Sequence, residues 1–426
     1  MRACHRNHLV TLIAIVLCVG YSRAKTSAAD EAEWTSLIKG DSLKGWVRRG
    51  GQARYSVEDG AIVGRSVPDS PNSFLCTERE YGDFELTLEF KVDPRMNSGI
   101  QIRSNSVVGY KNGVVHGYQV EIDPSERAWS AGIYDESRRG WLCDLKNNAA
   151  AREAFRQNEW NEYRIVARGK SIKTWINGVQ AADLKDDLTL TGFIALQVHG
   201  TKSPEPLEVR WRNIRLRELG PPIGQAPPGT VVLLGAEHGP TAWKHVQGGD
   251  EAVKWKYAEG VLQIEPGSGS IMTREAFGDC HLHVEFNVSA NSKAGQGNGN
   301  SGVYVQGRYE VQILNSAGQE PLDDNCGAIY KVKAADYNMA RSAGQWQMYD
   351  IIFAAPRWVE GGRKMTNARM TVYHNGTRIH HNVEVPDSTG AGQPEGPTDG
   401  PILLQDHGNL VQYRNIWIVP LKQPKK

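Results

Sequence analysis

The chain contains no CxxC pair, no cluster of basic residues, no apolar run of bilayer-spanning length and almost no sustained helical periodicity. Each absence removes a class of function. Without paired cysteine ligands, a thiolate zinc site is not expected. The 49 Lys and Arg residues nearly cancel the 48 Asp and Glu. Nucleic acid and anionic membrane surfaces therefore gain no electrostatic attraction. The N-terminal apolar run, Leu9 to Val19, falls short of the roughly 20 residues that a membrane-spanning helix needs. With Arg2, His5 and Arg6 before it and the small residues Ser27-Ala28-Ala29 after it, the run reads as a secretory signal over residues 1–29. Leu17, not a small residue, precedes Cys18, which argues against a lipoprotein site. The expected destination is secreted or periplasmic, with no integral membrane segment after cleavage.

Signal removal leaves Cys76, Cys143, Cys280 and Cys326. An oxidising compartment permits disulfides. Internal alignment, however, places Cys280 opposite Phe84 and Cys76 opposite Met272, so both read as apolar core positions.

What the chain does have is a message stated twice. Asn97-Ser98-Gly99-Ile100 returns as Asn300-Ser301-Gly302-Val303, and Tyr118-Gln119-Val120-Glu121-Ile122 as Tyr309-Glu310-Val311-Gln312-Ile313. Gln197-Val198-His199-Gly200, with Trp211-Arg212-Asn213-Ile214 after it, returns as Gln405-Asp406-His407-Gly408 followed by Tyr413-Arg414-Asn415-Ile416. A period of about 200 residues means two whole domains rather than a solenoid. They are expected over residues 30–219 and 230–426, joined by a Pro/Gly linker over 220–229.

Period-two alternation, as in Phe84 to Phe90 and His281 to Phe286, predicts strands. Asn177-Gly178 and Asn375-Gly376, between strand-like runs, predict tight hairpins. The expected fold is all-β: two tandem antiparallel β-sandwiches. Two loops belong to the second copy alone. The Gly/Asn/Ser-rich stretch 289–298 precedes the Asn-Ser-Gly motif, and 386–401 precedes Gln-x-His-Gly. Gly295, Gly297 and Gly299 lack the helix and Lys-Ser/Thr that a phosphate loop requires.

Strand parity sorts the repeated residues by face. Ile194, Leu196 and Val198 oppose Gln197 and His199; Tyr118, Val120 and Ile122 oppose Gln119 and Glu121. In the second copy Gln405 and His407 oppose Ile402 and Leu404, and Glu310 and Gln312 oppose Tyr309, Val311 and Ile313. A sheet face carrying amides, carboxylate and imidazole suits the hydroxyls of a sugar, although any antiparallel sandwich can solvate one face. Parity sets Arg414 with Ile416 and Ile418. It therefore sits at a bulge or pairs with a buried carboxylate, and is kept as a candidate sugar contact. Glu121-Ile122-Asp123-Pro124-Ser125-Glu126 also fits the E-x-D-x-x-E pattern of laminarinase-like retaining glycosidases, which needs converging carboxylates.

Both halves resemble the 3-keto-disaccharide hydrolase domain family. The motifs that carry the resemblance are Asn300 to Gly307, Tyr309 to Ile313, Gly327-Ala328-Ile329-Tyr330, Gln345-Trp346 and Gln405 to Gly408. The first copy has the variant set Asn97 to Ile100, Gly132-Ile133-Tyr134, Glu159-Trp160-Asn161 and Trp175 to Gly178. The resemblance implies concanavalin-like sandwiches of the jelly-roll type and cleavage of glycosides already oxidised at C3. A C3 ketone acidifies the C2 proton. A base removes that proton, the C1 substituent leaves by β-elimination, and water adds to the enone.

On this reading Glu310 and His407 share the catalytic roles of base and leaving-group acid. Gln312, Gln405 and Asn300 bind the enolate and hydroxyls, and Tyr330 forms a wall. In the first copy Gln119, Glu121, Gln197 and His199 bind sugar, and Gln119 stands where the second copy has its carboxylate. No cofactor is required; whether Glu310 and His407 share a divalent ion is left open. A glycoside or oligosaccharide is the expected partner. The alternatives are a non-catalytic, lectin-like binding protein and the laminarinase-like glycosidase.

Overall fold

The computed structural model describes residues 33–248, 251–290 and 293–421. The stretch 1–29 expected to be a secretory signal lies outside the described residues. The first domain pairs an eight-stranded sheet with a seven-stranded one, and the second pairs an eight-stranded sheet with a five-stranded one. All strand pairings between named strands are antiparallel, and the described residues hold one short α-helix, Ala149–Glu153. Both domains are jelly-roll sandwiches of the concanavalin type.

The alternation read from sequence sets the layers. In Phe84–Val92, the residues Phe84, Leu86, Leu88, Phe90 and Val92 point inward and are at most 4% exposed. Each buried side chain of this kind contributes about 1.5–3 kcal/mol. Cys280–Val288 repeats the pattern with Cys280, Leu282, Val284, Phe286 and Val288 in the second core. Cys76, Cys280 and Cys326 are buried and unpaired, and Cys143 is half-buried and unpaired. The core reading of Cys76 and Cys280 therefore holds, since a thiol there packs as a small apolar group.

Asn177 (φ 46°) and Gly178 (φ 83°) close one hairpin, and Asn375 (φ 49°) and Gly376 (φ 75°) close its counterpart. Left-handed conformations at both central residues give the turn twist that matches the flanking strands. The second hairpin also docks on the first domain: Leu190 N donates to Gly376 O at 2.8 Å and Arg378 N to Leu188 O at 2.7 Å. Arg341 and Glu80 add an ion pair at 2.5 Å.

One sheet in each domain carries the polar face. In the first domain it contains, in spatial order, Gly140–Cys143, Ile133–Glu136, His116–Ile122, Ser98–Asn105, Gly192–Val198, Ser73–Tyr81 and Trp46–Gly50. In the second it contains Trp243–His245, Ile271–Phe277, Gly400–Leu404, Ser301–Val305 and Tyr309–Ile313.

Candidate active site

The Asn-Ser-Gly motif makes room for the site. Gly302 lies opposite Gln312 in the register, and Tyr304 opposite Glu310. A Cβ on Gly302 would stand 2.2 Å from Glu310 Oε1, so the carboxylate occupies the space that the glycine leaves. In the first domain Gly99 lies opposite Glu121, and its Cβ would stand 2.5 Å from Gln119 Cδ. The serines tie this strand to its neighbour: Ser98 Oγ donates to Gln197 O at 2.7 Å and Ser301 Oγ to Gln405 O at 2.6 Å. Tyr163 and Tyr349, from the opposing sheets, donate to the carbonyls of Glu121 and Gln312. The same scaffold is thus built twice.

In the second domain a cavity of about 340 Å³ is lined by Gln296, Asn300, Tyr304, Glu310, Gln312, Tyr330, Gly390, Ala391, Gln405 and His407. Glu310 is 2% exposed and accepts from Tyr304 Oη at 2.7 Å. In the amide orientation that its surroundings require, Gln312 donates to Glu310 Oε1 at 2.9 Å. Burial raises the Glu310 carboxyl to about 7, against the opposing effect of the Tyr304 hydrogen bond. Gln405 Nε2 donates to Tyr304 Oη at 3.1 Å, while Gln405 Oε1 and Asn300 Oδ1 are buried without a protein partner. Such atoms can be satisfied by water or by the hydroxyls of a ligand.

The 386–401 loop closes this cavity. Thr389 Oγ1 accepts from Glu310 N at 2.7 Å, and a Cβ on Gly390 would stand 2.5 Å from Glu310 Oε2. Buried Arg308 pins the loop through the carbonyls of Pro394 at 3.1 Å and Thr398 at 2.9 Å. Glu395 accepts from Tyr309 Oη and Lys364 Nζ, each at 2.5 Å. The loop thereby supplies part of the burial that shifts Glu310.

A second cavity, of about 410 Å³, lies in the first domain and is lined by Asn72, Asn97, Gln119, Glu121, Arg127, Tyr134, Glu136, Trp141, Gln197 and His199. The two cavities share no lining residue. Glu121 accepts from Asn97 Nδ2 at 2.5 Å and Gln119 Nε2 at 2.8 Å. Burial nevertheless raises its carboxyl to about 7.

Ten of the eleven sequence-based site residues thus fall into two clusters: Glu310, Gln312, Asn300, Tyr330, Gln405 and His407 in one, and Gln119, Glu121, Gln197 and His199 in the other. His407 is exposed at the rim. Arg414 departs from the expectation of a sugar contact. It lies on the other sheet, donates to Glu285 Oε2 at 2.6 Å and stacks over Trp346 at 4.0 Å. The neighbouring Asn415 (φ 46°) turns the strand at a bulge, so the arginine faces away from the core and meets a carboxylate. Arg212, Glu89, Trp160 and Asn213 (φ 52°) repeat the arrangement.

The laminarinase-like triad does not converge. Asp123 is occupied by Ser125 Oγ at 2.6 Å, Arg127 Nε at 2.7 Å and Trp129 N at 3.1 Å. Burial opposes the ionisation of Asp123, but these donors hold its carboxyl below the usual range. Pro124 leaves the strand, and Glu126 is exposed. Asp123 is a loop anchor and not a partner for Glu121.

Sequence reasoning missed Tyr304, Gln296, Gly390 and Ala391 in one cavity and Asn72, Asn97, Arg127, Tyr134, Glu136 and Trp141 in the other. Tyr304 carried a signal, because it shares the face of Gly302. Gln296, Gly390 and Ala391 come from loops, where parity has no meaning.

Two polar, sugar-sized cavities open to solvent on jelly-roll sheets suit a carbohydrate-active or carbohydrate-binding protein. More particularly, the chain belongs to the family described as the 3-keto-alpha-glucoside-1,2-lyase-like domain, whose model matches residues 33–217 and 231–419. No curated protein matches the chain. A structure provisionally described as a glycosyl hydrolase from Parabacteroides distasonis is 35% identical, covering 46% of this chain and 85% of that one with a TM-score of 0.43. A carbohydrate-binding module, CBM66, from Bacillus subtilis is 16% identical, covering 41% of this chain and 96% of that one with a TM-score of 0.32.

Proposed function

We propose that the protein is exported and cleaves 3-keto-glycosides by elimination and hydration, with the second domain performing the chemistry. The observation that carries this reading is Glu310. It is a buried carboxylate, poised near 7, at the wall of a cavity whose other polar side chains are amides, phenols and the His407 imidazole. A base for a proton next to a ketone needs this balance of ionisation at neutral pH and basicity. Glu310 takes the C2 proton and the electron pair forms the enolate, stabilised by the Gln405, Gln312 and Tyr304 groups around it. Collapse of the enolate breaks the C1–O bond, His407 at the rim gives the leaving oxygen its proton, and water then adds across the enone. Tyr330 packs against the ring.

A lectin-like role for the first domain has its own support, since the amide Gln119 stands at the register position of Glu310.

The test is product analysis of the mature protein with a 3-keto-disaccharide and its unoxidised parent, beside Glu310→Gln and His407→Ala. Cleavage of the keto sugar alone, with turnover at the second-domain site reduced about 100-fold or more in Glu310→Gln, is the expected result. Retained binding with no turnover of either sugar would overturn the enzyme reading in favour of the lectin one.

A further inference from the structure

Gln119 makes the first domain look like a copy that has lost its base. The register gives a different account. Glu121 and Gln119 lie opposite Gly99 and Gln101, as Gln312 and Glu310 lie opposite Gly302 and Tyr304. Carboxylate and amide have exchanged places on the same face of the same strand. The charge has moved by one pleat repeat, about 7 Å, and has not been lost.

Its surroundings have changed with it. Arg127 Nη2 stands 3.8 Å from Glu121 Oε1. The guanidinium is held by Asp123 at 2.7 Å and packs over the rings of Trp129 at 4.7 Å and Trp141 at 5.0 Å, which fixes its direction. The second-domain cavity is lined by no arginine or lysine. Gln197, on the same face, is fully buried, and neither atom of its amide has a protein partner. The first-domain cavity therefore contains a base, a fixed cation beside it and an unsatisfied amide.

We propose that the first-domain cavity is a second catalytic site, in which Glu121 removes the proton next to a sugar ketone and Arg127 holds the oxyanion that forms. This rests on the reading of the second domain for its substrate class, but goes beyond it in assigning chemistry to a different cavity and different residues. Proton abstraction moves the C–H electron pair into a carbon–carbon double bond and leaves negative charge on the former ketone oxygen. Donors aimed at that oxygen stabilise it, and Arg127 does so from a side chain that is 41% exposed. Collapse of the enolate expels the alkoxide β to the ketone, and Glu136 gives it a proton. Burial keeps the Glu136 carboxyl above its usual range, against opposing contributions from Ser137, His199 and Asn72. Water then adds across the enone, so the net reaction is hydrolysis without any oxidant or reductant.

The displacement has a consequence for specificity. Asn97, Gln197 and His199 repeat Asn300, Gln405 and His407, so a sugar held by this frame meets its base about one pleat repeat, roughly 7 Å, from where the second domain presents it. The two sites are therefore selective for different linkage geometries of the same oxidised class.

The experiment uses the full mature chain as wild type, Glu310→Gln, Glu121→Gln and the double variant. Each is given α- and β-linked 3-keto-disaccharides in D₂O. NMR follows deuterium entering the carbon next to the ketone, and product analysis follows cleavage. Glu310→Gln should retain exchange and cleavage of one linkage, and adding Glu121→Gln should remove about 100-fold or more of that remainder. In the Glu310→Gln background, Arg127→Met should cost more than Arg127→Lys. The Glu→Gln changes preserve shape, and thermal unfolding of each variant verifies the fold. If the wild type is active and Glu310→Gln is no better than the double variant on either linkage, the inference fails and the second-domain reading stands. If the wild type neither exchanges nor cleaves, both fail.

Discussion

Replacing Glu310 by glutamine should stabilise the protein while abolishing activity at the second-domain site, and the gain should depend on pH in a direction that burial dictates. The carboxyl rises from an ordinary value of 4.5 to about 7 in the folded chain. Between those values the folded protein keeps a proton that the unfolded chain has released, so stability falls as pH rises through the window. At 1.36 kcal/mol per pKa unit, the ionised carboxylate costs the fold about 3 kcal/mol above pH 7. Glutamine fills the same space, does not titrate and can still bond Tyr304. Its advantage should be absent at pH 4.5 and complete at pH 8.5. For a domain of this size the gain corresponds to an increase of about 6 to 12 °C in the unfolding temperature of the second domain. Calorimetry of wild type and variant at the two pH values measures it. An equal offset at both would show that Glu310 is not held in a desolvating site, and would remove the basis for its role as base.

Tyr304→Phe removes the hydroxyl that favours the charged carboxylate, and should move the rising limb of the kcat/KM profile upward by roughly one pKa unit, the worth of a hydrogen bond to a charged group; an unmoved limb would refute the contact. Gly302→Ala pushes its Cβ against the flexible end of Glu310, so turnover should fall about 100-fold with little change in melting temperature; a fully active, folded variant would count against the glycine cradle. Arg308→Ala frees the 386–401 loop from the carbonyls of Pro394 and Thr398. Limited proteolysis should then cut that loop faster, and the activity limb should move below 7 as water reaches Glu310; an unchanged cleavage rate would show that the loop is held by other contacts.

The fold was largely legible because sandwich strands advertise themselves by alternation and by their turns. Phe84 to Val92 and the two Asn-Gly hairpins needed no tertiary information, since one face must be apolar and a two-residue turn must accept left-handed backbone. Strand parity identified eight of the cavity residues for the same reason, since it assigns each residue to a face, whereas Asn300 and Tyr330 came from the motifs that carry the family resemblance. Parity marked Arg414 for a bulge or a carboxylate partner, but which sheet its strand joins, away from the cavity, depends on the pairing of strands distant in sequence. Asp123 escaped this logic because a carboxylate beyond the strand end is claimed by its own loop.

The sequence by itself determined that two antiparallel β-sandwich domains would form and that each would carry amides, an imidazole and a carboxylate on one face. Only the tertiary structure decided what those groups can do. Acidity depends on burial, and the burial of Glu310 comes partly from a loop some 80 residues downstream that folds back over it. The pairing of Glu121 with Arg127, and the separation of the two cavities, likewise arise from how strands, loops and domains meet in space, which alternation along one strand does not encode.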